Sequence, residues 1–168
     1  MTAPPGAESL SIVFVCHANI CRSPMAEAVF RHLVVAEGFA DRFRIDSAGV
    51  MALEGAAPHP LTVETCDTHG IKAAGTARQL LRNDLFHTDH IVLADSDNLR
   101  RLQQMMGPSA FGKMPETRAR IRLLRGIPSD PPESSVDLFD PARGGAEQFE
   151  ECLTVVERCC RALLHELA

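Results

Sequence analysis

The chain has 168 residues, of which 45% are hydrophobic and 23% charged, values that indicate one soluble globular domain with a substantial core. A net charge of -5 argues against general nucleic-acid binding, and no apolar run reaches the roughly 18 residues that a membrane helix needs. Residues 1–9 lack the features of a signal peptide, so we expect a flexible tail, a domain over 10–168 and a cytoplasmic protein. The cysteines form no CxxC pair, so a zinc site is not expected.

Apolar runs and helix-end signals divide the chain into strands that alternate with helices. The predicted elements are a strand over 11–15, a helix over 24–37, a strand over 43–46, a helix over 60–69, a strand over 90–94, a helix over 96–106, a strand over 120–124 and a helix over 146–167. Ser23 is the expected N-cap of the first helix, and 127–145 is expected to be a long loop. This alternation predicts a parallel sheet with helices on both faces, which binds ligands at the carboxyl ends of its strands.

The most informative segment runs from Cys16 to Pro24, with the sequence CHANICRSP. It joins a buried-type strand to a helix start, an arrangement that presents backbone N–H groups to an anion. Arg22 can bind two phosphoryl oxygens with its planar fork, and its charge favours the nucleophilic thiolate of Cys16. Asn19 tolerates a left-handed backbone, and Ser23 can donate a hydrogen bond to the thiolate. The segment therefore predicts cleavage of a phosphate ester.

Cleavage of a phosphate ester also needs an acid that protonates the leaving oxygen. The long loop contains three candidates, Asp130, Asp137 and Asp140. Any of them can instead be a turn-forming residue, and their position in the loop does not choose among them.

The segment from Cys16 to Pro24 resembles the loop V-C-x-x-N-x-C-R-S-P of the low-molecular-weight protein tyrosine phosphatase family. The resemblance continues along most of the chain, in MAEAVF from Met25, DSAG from Asp46, HGI from His69, DSDNL from Asp95, DP at Asp140 and RCCR from Arg158. It implies a single-domain α/β three-layer sandwich with a central four-stranded parallel sheet in the order 2-1-3-4. It also implies a hydrolase that acts on phosphotyrosine or another aryl phosphate without a metal or other cofactor.

The resemblance assigns a role to each matching residue. Cys16 is the expected nucleophile that forms a phosphocysteine, Arg22 the oxyanion clamp and Asp140 the general acid. The residues expected to bind phosphate or support the loop are His17, Ala18, Asn19, Ile20, Cys21, Ser23, Ser47, His69 and Asp95. Asp95 can also simply cap the helix that follows it, and Cys21 can either trap oxidised Cys16 as a disulfide or pack beneath the loop.

The sequence departs from the family at the substrate pocket, whose walls are usually aromatic. The wall positions here are expected at Leu53, Phe139, Ala142 and Arg143, and the chain contains neither Tyr nor Trp. An aromatic pair is worth roughly 0.5–1.5 kcal/mol, so its loss predicts weaker selectivity for phosphotyrosine with the cysteine chemistry intact. Arg143 can attract an acidic peptide, stack on the substrate ring or remain a solvated loop charge.

Other functions stay open as alternatives. Arsenate reductase needs further reactive cysteines near the loop, and none lies between Cys66 and Cys152. Phosphoarginine phosphatases of the same family carry Thr where Ile20 stands, and a mere phosphate-binding module needs no nucleophile and acid together. The expected partner is a phosphotyrosine-containing protein or other aryl phosphate, with no nucleic acid and no membrane, and the chain is expected to be a monomer or weak dimer.

Overall fold

The computed structural model describes residues 9–107 and 116–168, so the tail predicted over 1–9 lies outside the described residues except for Ser9. The strands are β1 (Leu10–Cys16), β2 (Phe43–Gly49), β3 (His90–Leu93) and β4 (Arg120–Leu123). The helices are α1 (Arg22–Ala36), α2 (Pro60–Thr68), α3 (Asp84–His87), α4 (Ser96–Met106) and α5 (Ala146–Leu167). The strands form one parallel sheet in the order β2-β1-β3-β4, which confirms the predicted order. Within the described residues, no helix is long and apolar enough to cross a membrane.

Strand β1 lies between β2 and β3, and all but its first residue are buried. Successive side chains of a strand point to opposite faces, so β1 contributes to two cores. Ile12 and Phe14 belong to a core with residues of α1, α2 and α5, whereas Val13 and Val15 belong to a core with residues of α3 and α4. The sheet is therefore covered on both faces, as a three-layer α/β sandwich requires.

Helix α1 begins at Arg22, earlier than the predicted start at Pro24. Its N-cap is Cys21, so the prediction that Ser23 caps the helix is wrong. Because the backbone is already helical at Arg22, Ser23 lies inside the first turn, and its hydroxyl is 3.0 Å from the Sγ of Cys16. The serine therefore faces the thiol instead of closing the helix end.

The remaining elements lie within three residues of their predicted bounds, and one short helix, α3, is not predicted. Helices α4 and α5 have the predicted bounds of 96–106 and 146–167. Strand β2 continues past the predicted end at 46, because its pairing with β1 extends to Gly49. The sequence does not predict α3, since a four-residue helix is too short to show an apolar period.

The long loop after β4 is tied to the rest of the fold by a buried carboxylate. Glu133 is only 3% exposed at its side chain, and its two oxygens accept hydrogen bonds from Arg125 at 2.8 Å and from Arg158 at 2.6 Å. Burial alone would raise the pKa of Glu133, but the bonds from the two arginines outweigh burial and lower it. Arg125 also donates to the carbonyl oxygen of Asp137, so the ion cluster fixes the second half of the loop.

We expect Glu133→Gln to lower the free energy of unfolding by about 3 kcal/mol at pH 7, because it leaves buried arginine charge uncompensated. A carboxylate whose pKa is lowered by folding stabilises the protein above its unfolded pKa, here near 4.5, and this contribution is lost as the pH falls. The difference between the variant and the wild type should therefore shrink below that pH in urea titrations. The exposed Glu151→Gln on α5 is the control, and an equal destabilisation at pH 7 and pH 4 would contradict the assignment.

Candidate active site

In the loop between β1 and α1, carbonyl groups accept hydrogen bonds from the segment after β2, whereas the backbone N–H groups are left free by the part of the chain that the structure describes. Val50, Met51 and Leu53 donate their N–H groups to the carbonyl oxygens of residues 16, 17 and 18, at 2.9 to 3.0 Å. Among the described residues, no group accepts a hydrogen bond from the backbone N–H of residues 17–21. These donors are available to an anion, as in the nests that bind phosphate.

Gly49, the last residue of β2, brings the neighbouring strand directly against this loop. A Cβ at this position would lie 2.6 Å from the carbonyl oxygen of His17 and 3.0 Å from the amide nitrogen of Asn19. Contacts this short with backbone atoms cannot be relieved by a side-chain rotation, so only glycine fits here. The close approach of β2 therefore fixes the path of the loop.

Asn19 holds the loop from inside. Its φ of 59° is the left-handed conformation that asparagine tolerates, and its residue is 2% exposed. The side-chain Oδ1 accepts from the amide of Arg78 at 2.9 Å, and the Nδ2 donates to the hydroxyls of Ser23 at 2.8 Å and Ser47 at 3.0 Å. The structure thus brings Asn19, Ser23 and Ser47 into one hydrogen-bonded network that reaches the thiol of Cys16.

Arg22 is buried and links the loop to two other segments. Its Nη1 donates to the Oδ2 of Asp95 at 2.6 Å and to the carbonyl oxygen of Leu138 at 2.8 Å. Burial by itself lowers the pKa of Arg22, but the hydrogen bond to Asp95 and the charge of Cys16 outweigh burial and raise it. The guanidinium is therefore held in its charged state beside the thiol.

Asp95 makes both of the contacts that the sequence leaves open. Its Oδ2 accepts from Arg22, while its Oδ1 accepts from the amide of Asn98 at 2.8 Å and caps α4. One carboxylate therefore joins the N-terminus of α4 to the guanidinium.

Geometry separates the three aspartates of the long loop. The Oδ2 of Asp140 lies 3.9 Å from the Nη2 of Arg22, and its side chain is 44% exposed. Asp137 instead accepts from the amide and hydroxyl of Ser96 at 2.8 and 2.6 Å, and these bonds lower its pKa. Asp130 lines a separate surface depression formed largely by residues of α5. Of the three, Asp140 is the one whose carboxylate pairs with Arg22, and its side chain is partly exposed.

His69 makes a structural hydrogen bond at the end of α2 and none to the loop among the described residues. Its Nε2 lies 2.8 Å from the Oε2 of Glu150, with both side chains nearly half exposed, so it joins α2 to α5. The histidine that does touch the loop is His59, whose amide donates to the carbonyl oxygen of Ile20 at 2.7 Å and whose ring stacks on Phe149 at 5.0 Å. Sequence reasoning misses His59, although its position before a proline at a helix start is a signal for a cap.

Cys21 is the last residue of the loop before α1, and its free thiol is buried. Burial raises its pKa to about 12, with further contributions from the negative charges of Asp140 and Cys16. It therefore stays protonated near neutral pH, which fits the packing interpretation of Cys21. Its role as a trap for oxidised Cys16 stays a prediction.

The mouth of the site has few aromatic groups. Leu53 is 59% exposed beside the loop, and Phe139 is 37% exposed next to the acid. Ala142 and Arg143 are exposed in a short 3-10 turn that follows Asp140. Met51, which sequence reasoning misses, is also exposed, and its sulfur lies 3.0 Å from the Nη1 of Arg101. The exposed side chains described near the loop are thus mainly aliphatic, thioether and cationic.

Comparison with known proteins agrees with this geometry. The sequence model of a family described as "Low molecular weight phosphotyrosine protein phosphatase" matches residues 11–168. The chain belongs to this family. It is 38% identical over 158 residues to the low molecular weight phosphotyrosine protein phosphatase of Sus scrofa, covering 94% of this chain and 95% of that one. It is 37% identical to the low molecular weight protein-tyrosine-phosphatase of Streptomyces coelicolor, covering 91% and 90% of the two chains.

Solved structures support the same family fold. YfkJ from Bacillus subtilis is 33% identical with a TM-score of 0.82, and the match covers 96% of each chain. DARP, described as a drosophila arginine phosphatase, is 28% identical with a TM-score of 0.81, over 93% of this chain and 96% of that one. The predicted fold and family are therefore confirmed.

We expect Asp95→Asn to lower kcat by about 10- to 100-fold and the free energy of unfolding by about 3 kcal/mol, because it leaves the buried charge of Arg22 without its counter-charge. The amide keeps the oxygen that caps α4 but removes the charge-assisted bond to Arg22, which is worth roughly 1.5–3 kcal/mol. Steady-state kinetics with an aryl phosphate and thermal unfolding measure the two effects separately. The exposed Asp67→Asn on α2 is the matched control, and unchanged kcat together with unchanged stability would show that Asp95 serves only as a cap.

Proposed function

We propose that this protein is a protein tyrosine phosphatase that hydrolyses phosphotyrosine through a phosphocysteine formed on Cys16. The observation that carries the proposal is the meeting of a thiol, a charged guanidinium and an exposed carboxyl group around free backbone donors. A phosphoryl group needs this combination of nucleophile, anion clamp and acid to transfer from an aryl oxygen. The family membership of the chain supports the same reaction.

In the first step, the N–H groups of the loop and Arg22 bind the oxygens of the phosphate dianion. The thiolate of Cys16 attacks phosphorus, so the sulfur–phosphorus bond forms while the bond from phosphorus to the aryl oxygen breaks. Asp140 gives its proton to the departing oxygen, which leaves as a neutral phenol. The clamp stabilises the negative charge spread over the equatorial oxygens.

In the second step, the roles of the acid and the sulfur are reversed. The carboxylate of Asp140 takes a proton from water, whose oxygen attacks phosphorus. The sulfur–phosphorus bond breaks, inorganic phosphate forms, and Cys16 leaves as a thiolate. The hydroxyl of Ser23, 3.0 Å from the sulfur, is placed to donate a hydrogen bond to this leaving group.

Phosphoarginine is the second candidate substrate because of the likeness to the arginine phosphatase DARP. Ile20 favours aryl phosphates, since it replaces the Thr of the phosphoarginine phosphatases that the sequence resembles. We further propose that residues 10–168 act as one catalytic domain, as a monomer or weak dimer in the cytoplasm. A kcat/KM panel of phosphotyrosine, phosphoserine and phosphoarginine peptides ranks the substrates, and the highest value is expected for phosphotyrosine.

We expect Cys16→Ser to reduce turnover of an aryl phosphate by at least about 10⁴-fold, because a serine hydroxyl is far less readily ionised than a thiol and is a poor nucleophile in its place. Rapid acid quench of the wild type should trap a phosphorylated Cys16, which mass spectrometry identifies. Binding of inorganic phosphate to the variant shows that the loop is still folded. Unchanged turnover in a variant that binds phosphate would disprove the mechanism.

We expect Asp140→Asn to slow turnover about 10²- to 10⁴-fold for phenyl phosphate and much less for p-nitrophenyl phosphate. The nitrophenolate is a good leaving group and needs little help from an acid. Kinetics over a series of substituted phenols measure this dependence, and Asp130→Asn and Asp137→Asn are the controls. A steeper leaving-group dependence in either control would assign the acid to that residue instead.

We expect Leu53→Trp to raise kcat/KM for phosphotyrosine peptides about two- to tenfold, since an aromatic pair adds roughly 0.5–1.5 kcal/mol. Leu53 is exposed beside the loop, so the larger ring has room to contact the substrate. The equally exposed Leu81→Trp is the control for a general effect of tryptophan. The same gain in both variants would show that Leu53 is not part of the pocket wall.

A further inference from the structure

Glu27 lies behind the phosphate-binding loop and extends its hydrogen-bond network. The residue is on α1, and its Oε2 accepts the hydroxyl proton of Ser47 at 2.6 Å. The same hydroxyl oxygen accepts from the Nδ2 of Asn19 at 3.0 Å. A continuous series of hydrogen bonds therefore joins the carboxylate to the side chain that holds the loop from inside.

The chemistry of the groups fixes the direction of each bond in this series. The Oδ1 of Asn19 is occupied by the amide of Arg78, so its Nδ2, which can only donate, faces the two serine hydroxyls. A hydroxyl carries one proton, and a carboxylate can only accept. Ser47 must therefore give its proton to Glu27, which leaves a lone pair for Asn19.

The direction of the hydrogen bonds of Ser23, at the other end of the series, follows from the same argument. Ser23 accepts from Asn19 at 2.8 Å, so its single proton is free for another acceptor. That acceptor is the Sγ of Cys16 at 3.0 Å or the carbonyl oxygen of Ala48 at 3.3 Å. A charged acceptor at the shorter distance makes the stronger bond, which favours the thiolate over the carbonyl.

We propose that Glu27 is a positioning residue: by taking the proton of Ser47, its carboxylate keeps Asn19 in the orientation that directs the hydroxyl of Ser23 to the catalytic sulfur. Without this acceptor, the Ser47 hydroxyl can rotate and present its proton to Asn19, whose amide nitrogen cannot accept it. The inference rests on the proposed role of Cys16 as nucleophile.

The charged groups around Glu27 limit its direct electrostatic effect on the thiolate. Its Oε1 accepts two hydrogen bonds from Arg31, at 3.0 and 3.1 Å, which compensates most of its charge. Asp46 accepts from the amide of Ser47 at 2.8 Å and also pairs with Arg78. On the side of the sulfur, the charged groups are Arg22 and the two carboxylates that pair with it, those of Asp95 and Asp140.

The two effects of Glu27 predict opposite results when the residue is removed. If Glu27 acts through Ser47, Glu27→Ala weakens the bond to the thiolate, and a higher pH is needed to ionise Cys16. If it acts only as a negative charge, its removal favours the thiolate, and ionisation moves to lower pH or stays unchanged. The sign of the change therefore separates positioning from simple repulsion.

The test is the rate of alkylation of Cys16 by iodoacetamide as a function of pH, with the modified peptide identified by mass spectrometry. We expect Glu27→Ala to move the midpoint upward by about one pH unit and to lower kcat about three- to tenfold, with the KM for p-nitrophenyl phosphate little changed. Glu27→Gln keeps an oxygen that can accept from Ser47, so most of both losses should be restored. Glu64→Ala, an exposed residue of α2, should leave the midpoint unchanged.

A double-mutant cycle with Ser47→Ala tests whether the effect passes through Ser47. In the Ser47→Ala background, Glu27→Ala should add nothing to the shift of the midpoint. A midpoint that is unchanged or lower in Glu27→Ala, or an additive effect in the double variant, would overturn the proposal. If Glu27→Ala does not fold, as judged by thermal unfolding, the comparison of Glu27→Gln with Ser47→Ala decides the question through the sign of the shift. Alkylation reports the state of the thiol even if phosphotyrosine is not a substrate, so the two proposals fail independently.

Discussion

The buried guanidinium of Arg22 is the constraint on which the site depends. A charge removed from water is costly unless it is paired and hydrogen-bonded, so the groups around it must be held in place. Asp95 supplies the counter-charge and Leu138 supplies a carbonyl oxygen, at 2.6 and 2.8 Å. These partners belong to the start of α4 and to the long loop after β4. One side chain thus holds together the three segments that carry the chemistry.

The order of the strands in the sheet brings these segments side by side through the backbone alone. Strands β1 and β3 are adjacent and parallel, so their carboxyl ends deliver Cys16 and Asp95 to the same edge. The backbone continues the ladder beyond β3, since Ala94 donates to the carbonyl oxygen of Val15 and itself accepts from Leu138. The long loop after β4 is therefore attached to the sheet at Leu138, two residues before Asp140. The ion pairs of Glu133 attach the same loop at an earlier position.

The sequence predicts those features that depend on neighbours along the chain. The loop from Cys16 to Arg22 and the bounds of α4 and α5 follow from local motifs, caps and apolar periods. Local motifs do not choose Asp140 over Asp137 as the candidate acid. That choice depends on which aspartate bonds to Ser96, a residue distant in the sequence. For the same reason the contact of His59 with the loop and the bond from Ser47 to Glu27 require the tertiary structure.

The groups that bind the phosphoryl group are different from those that face the rest of the substrate, so the site specifies the reaction more strongly than the substrate. In the mechanism we propose, the free N–H groups, Arg22 and the thiol all contact the phosphoryl group, which phosphotyrosine and phosphoarginine share. In the same proposal, the rest of the substrate faces the exposed side chains of Met51, Leu53 and Phe139, which provide contact area but few directional bonds. Discrimination by apolar contact alone is modest, since a methylene in a pocket contributes about 1–3 kcal/mol. We therefore expect the selectivity of this chain to depend on the shape of the pocket entrance and on how readily each leaving group accepts a proton from Asp140.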